Sequence, residues 1–196
     1  PLQTEPEMSL QGLSPEFVFQ HAAIAALARD LPTGIRLAVK ETMLGVGRRP
    51  RDFYDQISSL KNVVMLDVQG PGIDVVRKSK AVAVISGTPG FEAAINGIPV
   101  ISFGEHALYN FLPHVQHVTD LANLRPALKR IFDGSIDLNR SRLDGTRFLR
   151  SVMEASFDMG DYDYVKLKNY DSQVVEDAYQ ALIDSLEIIA ESLSFA

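Results

Sequence analysis

The chain has 196 residues, 46% of them hydrophobic, and a formal net charge of −6 at pH 7. This composition supports a buried core and disfavours intrinsic disorder, and the acidic balance argues against a duplex nucleic-acid binder. The absence of cysteine excludes disulfides, thiolate metal sites and cysteine catalysis. No apolar stretch approaches the roughly 20 residues of a membrane span, and the polar, acidic start shows no signal peptide, so we expect a cytoplasmic protein.

Short apolar runs alternate with helical patterns along the first two thirds of the chain. In chain order, helices are predicted over residues 16–29, 51–60, 73–79, 89–96 and 121–132, and strands over residues 35–39, 63–66, 81–85 and 99–103. Ser14-Pro15 suits the start of the first helix, and Gly97 suits the end of the fourth. The strand at 81–85 is apolar throughout, as expected for a strand covered on both faces. This alternation predicts an α/β fold with a Rossmann-like, doubly wound parallel sheet over residues 1–138.

The pattern changes from about Asn139. Two long helices are predicted over residues 141–157 and 172–193, separated by an acidic, aromatic loop over 158–164. Residues 139–196 are therefore predicted to form a helical C-terminal extension.

The strongest local signal is the run from Ser86 to Glu92, where a buried strand enters a glycine-containing turn and then a helix. Thr88 suits the cap of that helix and Pro89 its first turn. Free N–H groups and the helix dipole at the carboxyl edge of a sheet favour an anion. Gly87 and Gly90 would let a phosphate approach, and the Ser86 and Thr88 hydroxyls can donate to it. The alternative is an ordinary strand–turn–helix connection that binds nothing.

Glu92 lies one turn into this predicted helix. With Thr88 as the cap, a capping box would need its acidic residue at position 91, which is Phe91, so Glu92 has no such role. Near the ligand edge its carboxylate could accept two ribose hydroxyls. The alternative is a solvated glutamate favoured by the helix dipole.

Basic residues follow the predicted strand at 35–39. Lys40 could reach a phosphate, and Arg48, Arg49 and Arg51 come in the loop after it. Four cations near one loop of an acidic protein indicate an anionic ligand, and the alternative is a solvated basic loop.

Glu105, His106 and Tyr109 follow the predicted strand at 99–103, where a donor sugar would sit. His106 could act as a general acid or base, although a lone surface histidine is the commoner case. His114 and His117 have no evident third ligand, so no metal site is predicted, and no cofactor either.

Several of these motifs occur in an order that resembles one family. They are Pro1-Leu2-Gln3, Glu5-Pro6-Glu7, Val39-Lys40-Glu41, Gly47-Arg48-Arg49-Pro50, Phe53-Tyr54, Asn62-Val63, Ser86-Gly87-Thr88, Glu92-Ala93, Gly97-Ile98-Pro99-Val100-Ile101 and Phe103-Gly104. Over roughly residues 1–128 the chain resembles the capsule polysaccharide and surface-carbohydrate biosynthesis proteins.

The resemblance implies the C-terminal, donor-binding half of a GT-B glycosyltransferase, working at the periphery of the inner-membrane machinery. It implies a nucleotide sugar as ligand, CMP-linked in some relatives, with no catalytic metal. The phosphate would lie on Ser86, Gly87 and Thr88, Glu92 would take ribose or sugar hydroxyls, and Lys40 and Arg48 would balance charge. Glu105 and His106 are the candidate catalytic residues.

The sequence departs from this family in two ways. Where the family usually has Lys-Glu-His-Pro, this chain has Lys40-Glu41-Thr42-Met43. The acceptor-binding first domain has no counterpart, so we expect a fragment, or a chain that needs a partner polypeptide to reach the glycan acceptor and is inactive alone. Two alternatives stay open, a sugar-nucleotide 2-epimerase that uses Glu105 and His106, and a non-catalytic binding or scaffold domain.

Overall fold

The computed structural model describes residues 2–4, 12, 14–17, 19–158 and 171–194. The strands of this part are β1 (Leu37–Lys40), β2 (Val63–Leu66), β3 (Val82–Val84), β4 (Val100–Ser102) and β5 (Val115–His117). Its helices are α1 (Gln20–Asp30), α2 (Phe53–Ser58), α3 (Gly72–Lys78), α4 (Thr88–Ile95), α5 (Leu124–Phe132), α6 (Leu138–Glu154) and α7 (Ser172–Ser194), with 3₁₀ turns at Pro15–Phe17 and Leu121–Asn123.

All strand pairs are parallel. β1 pairs with β2 in one sheet, and β3, β4 and β5 form a second sheet in that order. Helices α2, α3 and α4 provide the crossovers from β1 through β4, because parallel neighbours cannot be joined by a tight hairpin, and the described connection from β4 to β5 consists of turns without a helix. The predicted Rossmann-like α/β fold with a helical C-terminal extension is thus confirmed. The structure adds β5, which the sequence analysis missed because only Val115 is apolar in this three-residue strand.

Two groups of buried side chains among the described residues include residues of α1. The first group joins α1 to β4 and α5 and includes Ala23, Leu27, Ile101, Phe103, Leu124 and Leu128. The second group joins α1 to β1, α2 and β2 and includes Ile24, Val39, Phe53, Ile57 and Val63. Burial of these side chains supplies the main stabilising term of the fold.

The start of the chain differs from the prediction. Ser14 and Pro15 begin a 3₁₀ turn, and α1 begins only at Gln20 with Phe19 in the cap position. The Ser14 hydroxyl instead donates to the Phe103 carbonyl at 2.9 Å, and Phe17 is buried in the first core group. Tertiary packing therefore overrides the local helix-start signal.

The C-terminal helices begin and end within a few residues of the predicted limits, and the acidic, aromatic loop lies outside the described residues except for Asp158. Backbone contacts divide the chain into two compact units, Pro1–Phe148 and Leu149–Ala196. The predicted domain boundary between residues 138 and 139 stays a prediction.

Helix α4 ends in a Schellman motif that confirms the predicted role of Gly97. The Ile98 N–H donates to the Ala93 carbonyl at 2.9 Å and the Gly97 N–H donates to the Ala94 carbonyl at 3.1 Å. Gly97 has φ +68°, in the left-handed region that favours glycine. Any side chain at Gly97 would also overlap the backbone of Ser141 and Arg142 in α6.

Gly145 makes the reciprocal contact from α6. An added Cβ there would lie 2.5 Å from the Ala94 carbonyl oxygen and 2.7 Å from that of Ile95. Backbone oxygens cannot rotate away as a flexible side chain can. The close approach of α4 and α6 therefore requires glycine at this position.

We predict that Gly145→Ala destabilises the protein by about 1–3 kcal/mol, although alanine is the better helix former. Chemical denaturation followed by circular dichroism measures this. Thr146→Ala, at the exposed neighbouring position of the same helix, is the control and should leave stability nearly unchanged. Equal stability of Gly145→Ala and the parent would show that the two helices are not in contact through their backbones.

Candidate functional site

The turn after β3 leads directly into α4 at the carboxyl end of the three-stranded sheet. Gly87 occupies the cap position with φ −78° and ψ 154°, Thr88 is the first helical residue, and Pro89 lies in the first turn. No side chain of the described residues caps this helix end. The predicted cap at Thr88 is therefore wrong by one residue, because an extended glycine already provides the entry geometry and Pro89 fixes the first turn.

Few groups occupy the amino end of α4 in the described part of the chain. The N–H groups of Gly87 and Thr88 make no hydrogen bond there, and the Thr88 side chain is exposed. Such orphan donors carry the partial positive charge of the helix dipole. Glu92 is half-buried one turn on, and among the described residues its carboxylate has no hydrogen-bond partner.

Gly90 has a packing role. A Cβ on Gly90 would overlap the Tyr109 hydroxyl and the side chain of Val84. The expectation that Gly90 admits a phosphate is thus wrong, since this glycine faces the interior. Tyr109 is likewise buried and does not line the expected sugar position. Burial raises the pKa of Tyr109 to about 12, against a smaller lowering by the Ser102 hydroxyl.

Gln3 is a site residue for which the sequence analysis gave no role. Its side-chain carbonyl accepts a hydrogen bond from the Ser86 N–H at 3.0 Å, and its amide nitrogen donates to the Ser86 hydroxyl at 3.0 Å. The buried side chain of Gln20 pairs with both backbone groups of Gln3, each at 2.7 Å. Gln20 thus holds the N-terminal segment so that the Gln3 amide lies on the turn after β3.

Arg49 connects Gln3 to the loop after β1. Its guanidinium donates to Glu41 through Nε at 2.8 Å and Nη2 at 3.0 Å, and to the Gln3 carbonyl through Nη2. It also lies 5.0 Å above the centre of the Phe53 ring. The buried ion pair, Gln3 and Ser86 therefore form one polar network between the ends of β1 and β3.

Glu41 receives further hydrogen bonds, from the Thr42 N–H at 2.8 Å and the Tyr54 hydroxyl at 3.1 Å. Burial alone would raise the pKa of Glu41. The hydrogen bonds and charge of Arg49, together with the Thr42 amide and Tyr54, hold that pKa below its ordinary value. Burial and the Glu41 charge in turn raise the pKa of Tyr54.

The other cations predicted at this edge are divided between interior and surface. Lys40 is buried, and its Nζ donates to the Val68 carbonyl at 2.7 Å and the Glu41 carbonyl at 3.4 Å. Arg48 and Arg51 are exposed. With Arg49 committed to Glu41, only Arg48 and Arg51 present exposed charge among the four.

A family model described as capsule polysaccharide biosynthesis protein matches residues 1–132. The chain belongs to this family. The match covers the polar network, the turn after β3, and all five strands, and it ends with α5. No curated protein and no solved structure was found to match the chain. Among the described residues, no helix combines the length and apolar character needed to cross a lipid bilayer.

Thr42 stands where the resemblance to the capsule family led us to expect histidine. Its hydroxyl accepts a hydrogen bond from the Gly45 N–H at 3.1 Å, and its own N–H donates to the Glu41 carboxylate. Thr42 therefore stabilises the start of the loop after β1.

Glu105 and His106 occupy an exposed turn after β4. The Asn110 side chain fixes this turn by donating to the carbonyls of Gly104, at 2.7 Å, and Glu105, at 3.2 Å. Gly104 packs directly on the backbone of Ile85. The turn after β4 thus lies beside the end of β3, with no described side chain bonded to the Glu105 carboxylate or the His106 ring.

His114 is buried completely, and its Nε2 lies 2.9 Å from the Ala94 carbonyl. Because a carbonyl only accepts, Nε2 carries the proton. Burial lowers the pKa of His114, against smaller raising effects of the Ala94 bond and of Asp144. In the described part of the chain, no three histidine, aspartate or glutamate side chains come together as a metal site.

We predict that Glu41→Gln lowers the unfolding free energy by about 3–5 kcal/mol at pH 7, because Arg49 keeps its buried charge without a counterion. The pKa of Glu41 is lower folded than unfolded, so ionised Glu41 stabilises the fold above the ordinary pKa of 4.5. This contribution is lost as pH falls below 4.5 through the folded pKa. The difference between parent and variant should therefore shrink in that range.

Denaturant unfolding from pH 7 down to pH 3 checks this. Asp55→Asn removes an exposed carboxylate from α2 and serves as the control for net charge. A stability loss in Glu41→Gln that matches the control at every pH would contradict the buried pair.

Proposed function

We propose that this chain binds the phosphate of a nucleotide-activated sugar at the amino end of α4, for glycosyl transfer in capsule polysaccharide biosynthesis. The family match supports the role in capsule polysaccharide biosynthesis. The observation that carries the proposal further is the pair of orphan N–H groups on Gly87 and Thr88, at the carboxyl edge of a parallel sheet.

Different groups around this helix end would contact different parts of the ligand. Two N–H donors and the hydroxyls of Ser86 and Thr88 would contact the phosphate. Glu92, with no partner for its carboxylate among the described residues, would accept ribose or sugar hydroxyls. Arg48 would supply exposed positive charge, while buried Lys40 would act only through its field.

Gln3 sets a condition on this mode of binding. Its side-chain oxygen already accepts the Ser86 N–H. A phosphate that bonds to the N–H groups of Gly87 and Thr88 and to the Ser86 hydroxyl can leave this bond intact, whereas one that also takes the Ser86 N–H must displace the Gln3 side-chain oxygen. In both cases the Gln3 side chain borders the bound anion, so its charge should affect affinity.

Glu105 and His106 would lie on the sugar side of this phosphate, because the turn after β4 packs against Ile85. A carboxylate and an imidazole on an exposed turn can transfer protons to or from a bound sugar. We propose them as the acid and base groups of this half of the site.

We predict that Thr88→Val weakens binding of CMP or UDP by about 1.5–3 kcal/mol, which is roughly a tenfold to hundredfold higher Kd. The substitution removes a hydroxyl donor to a charged group and keeps the shape of the side chain. Isothermal titration calorimetry measures the change.

The matched control is Thr33→Val, an exposed threonine in the loop before β1. If Thr88→Val and Thr33→Val both bind the nucleotide with the Kd of the parent, the nucleotide does not bind at the amino end of α4. If the parent chain binds neither CMP nor UDP, the proposal that this chain binds a nucleotide by itself is overturned.

We also predict that Gln3→Glu raises the nucleotide Kd by at least about tenfold, because even ~1.4 kcal/mol of charge repulsion has that effect. The new carboxylate still accepts the Ser86 N–H, so the melting temperature should be retained. Calorimetry and thermal unfolding give the two readouts, with Gln56→Glu on exposed α2 as the control for net charge. An unchanged Kd in Gln3→Glu would separate Gln3 from the anion site.

A further inference from the structure

A cavity of about 480 Å³ separates the two sheets. Its walls include Leu37, Ala38 and Val39 of β1 and Val82, Ala83 and Val84 of β3, and side chains of α1, α3 and α5 complete the lining. A space of this size along a four-residue strand, which is roughly 13 Å long, has room for one extended chain.

Both strands that face the cavity present unpaired backbone groups to it. The Leu37 N–H donates toward β2, to the Asn62 carbonyl at 2.8 Å, and the Val82 N–H donates toward β4, to the Pro99 carbonyl at 2.9 Å. Successive peptide groups of a strand point to opposite sides, so those of Ala38 and Ala83 point into the cavity. They have no partner among the described residues, because β1 and β3 are not hydrogen-bonded to each other.

The N-terminal segment already makes one bond of a parallel ladder at the carboxyl end of this cavity. The Leu2 N–H donates to the Lys40 carbonyl at 2.8 Å, and this carbonyl is on the same side of β1 as the peptide of Ala38. Leu2 is buried in the core and lines the cavity. The next side chain, Gln3, pairs with Ser86 just beyond β3.

The connectivity of the sheets leaves a position for one more strand. From β1 the chain moves outward to β2, then returns across the cavity to β3 and continues outward through β4 and β5. In a doubly wound sheet with the order 3-2-1-4-5-6, the first strand lies at this reversal, between the second and the fourth. The observed strands β1 and β2 correspond to strands 2 and 3 of that order, and β3, β4 and β5 correspond to strands 4, 5 and 6.

We propose that the cavity takes an extended apolar strand that runs parallel to β1 and β3, leads into Leu2, and joins the two sheets into one six-stranded sheet. Such a strand would satisfy the peptide groups of Ala38 and Ala83 from both sides. Its side chains would be apolar, since a central parallel strand is covered on both faces. A hydrocarbon ligand would fill the volume but leave these peptide groups without partners.

The test fuses the six residues Thr-Val-Ile-Val-Val-Val directly ahead of Pro1 and follows hydrogen exchange by NMR. We expect the amides of Ala38 and Ala83 to exchange at least about tenfold more slowly than in the unextended chain, with a higher melting temperature. The amides of Leu37 and Val82 are the internal reference for a general change in stability, because they already have partners.

A fusion of equal length with proline at its second and fourth positions is the control, because proline cannot donate to a ladder. If the fused protein is insoluble, the same six residues with two terminal lysines are added as a separate peptide. Unchanged exchange at Ala38 and Ala83 in the fusion or with the peptide overturns the proposal. So does cis-parinaric acid binding that the strand fails to displace, since the cavity would then be a site for an apolar small molecule.

Discussion

The buried ion pair between Arg49 and Glu41 is the constraint on which the carboxyl edge of this domain depends. Two charges removed from water cost several kcal/mol each, and their mutual attraction offsets this cost only where further hydrogen bonds surround the pair. Here the Thr42 N–H and the Tyr54 hydroxyl donate to the carboxylate, and the Gln3 carbonyl accepts from the guanidinium. The loop after β1 and the N-terminal segment are therefore fixed together, and through Gln3 the turn at Ser86 is fixed with them.

This arrangement separates residues that hold the edge from residues that remain available at it. Intramolecular hydrogen bonds engage the side chains of Arg49, Lys40 and Gln20. Thr88 and Arg48 lie at the surface of the same edge. Exposed donors beside an exposed cation are a suitable place for an anion, because donors that are already in position need not be reorganised when the ligand arrives.

The amino-acid sequence predicts much of this fold because apolar runs are a local signal. The strand predicted over 81–85 and the helix predicted over 89–96 appear within two residues at each end, and the positive φ of Gly97 follows from its position after that helix. The short strand β5 has almost no apolar content, so pattern analysis could not find it. The separation of the strands into two sheets depends on long-range pairing, which no local pattern reports.

The site was harder to predict, for the same reason. Gln3 meets Ser86 across 83 positions of the chain and Arg49 across 46. Nothing near Gln3 in the sequence indicates either contact. Lys40 was expected at the ligand because of its charge, but the Val68 carbonyl, 28 positions away, accepts its hydrogen bond. The roles of Ser86, Gly87, Thr88 and Glu92 in binding stay predictions.

The buried His114 couples the folding of this domain to the binding of protons. Because its pKa is lowered from the ordinary value of 6.5, the unfolded chain binds more protons than the folded one below that pH. Folding in mildly acidic solution is accordingly accompanied by proton release to the buffer. The heat of unfolding measured there includes the ionisation heat of the buffer, and it should differ between phosphate and imidazole solutions of equal pH.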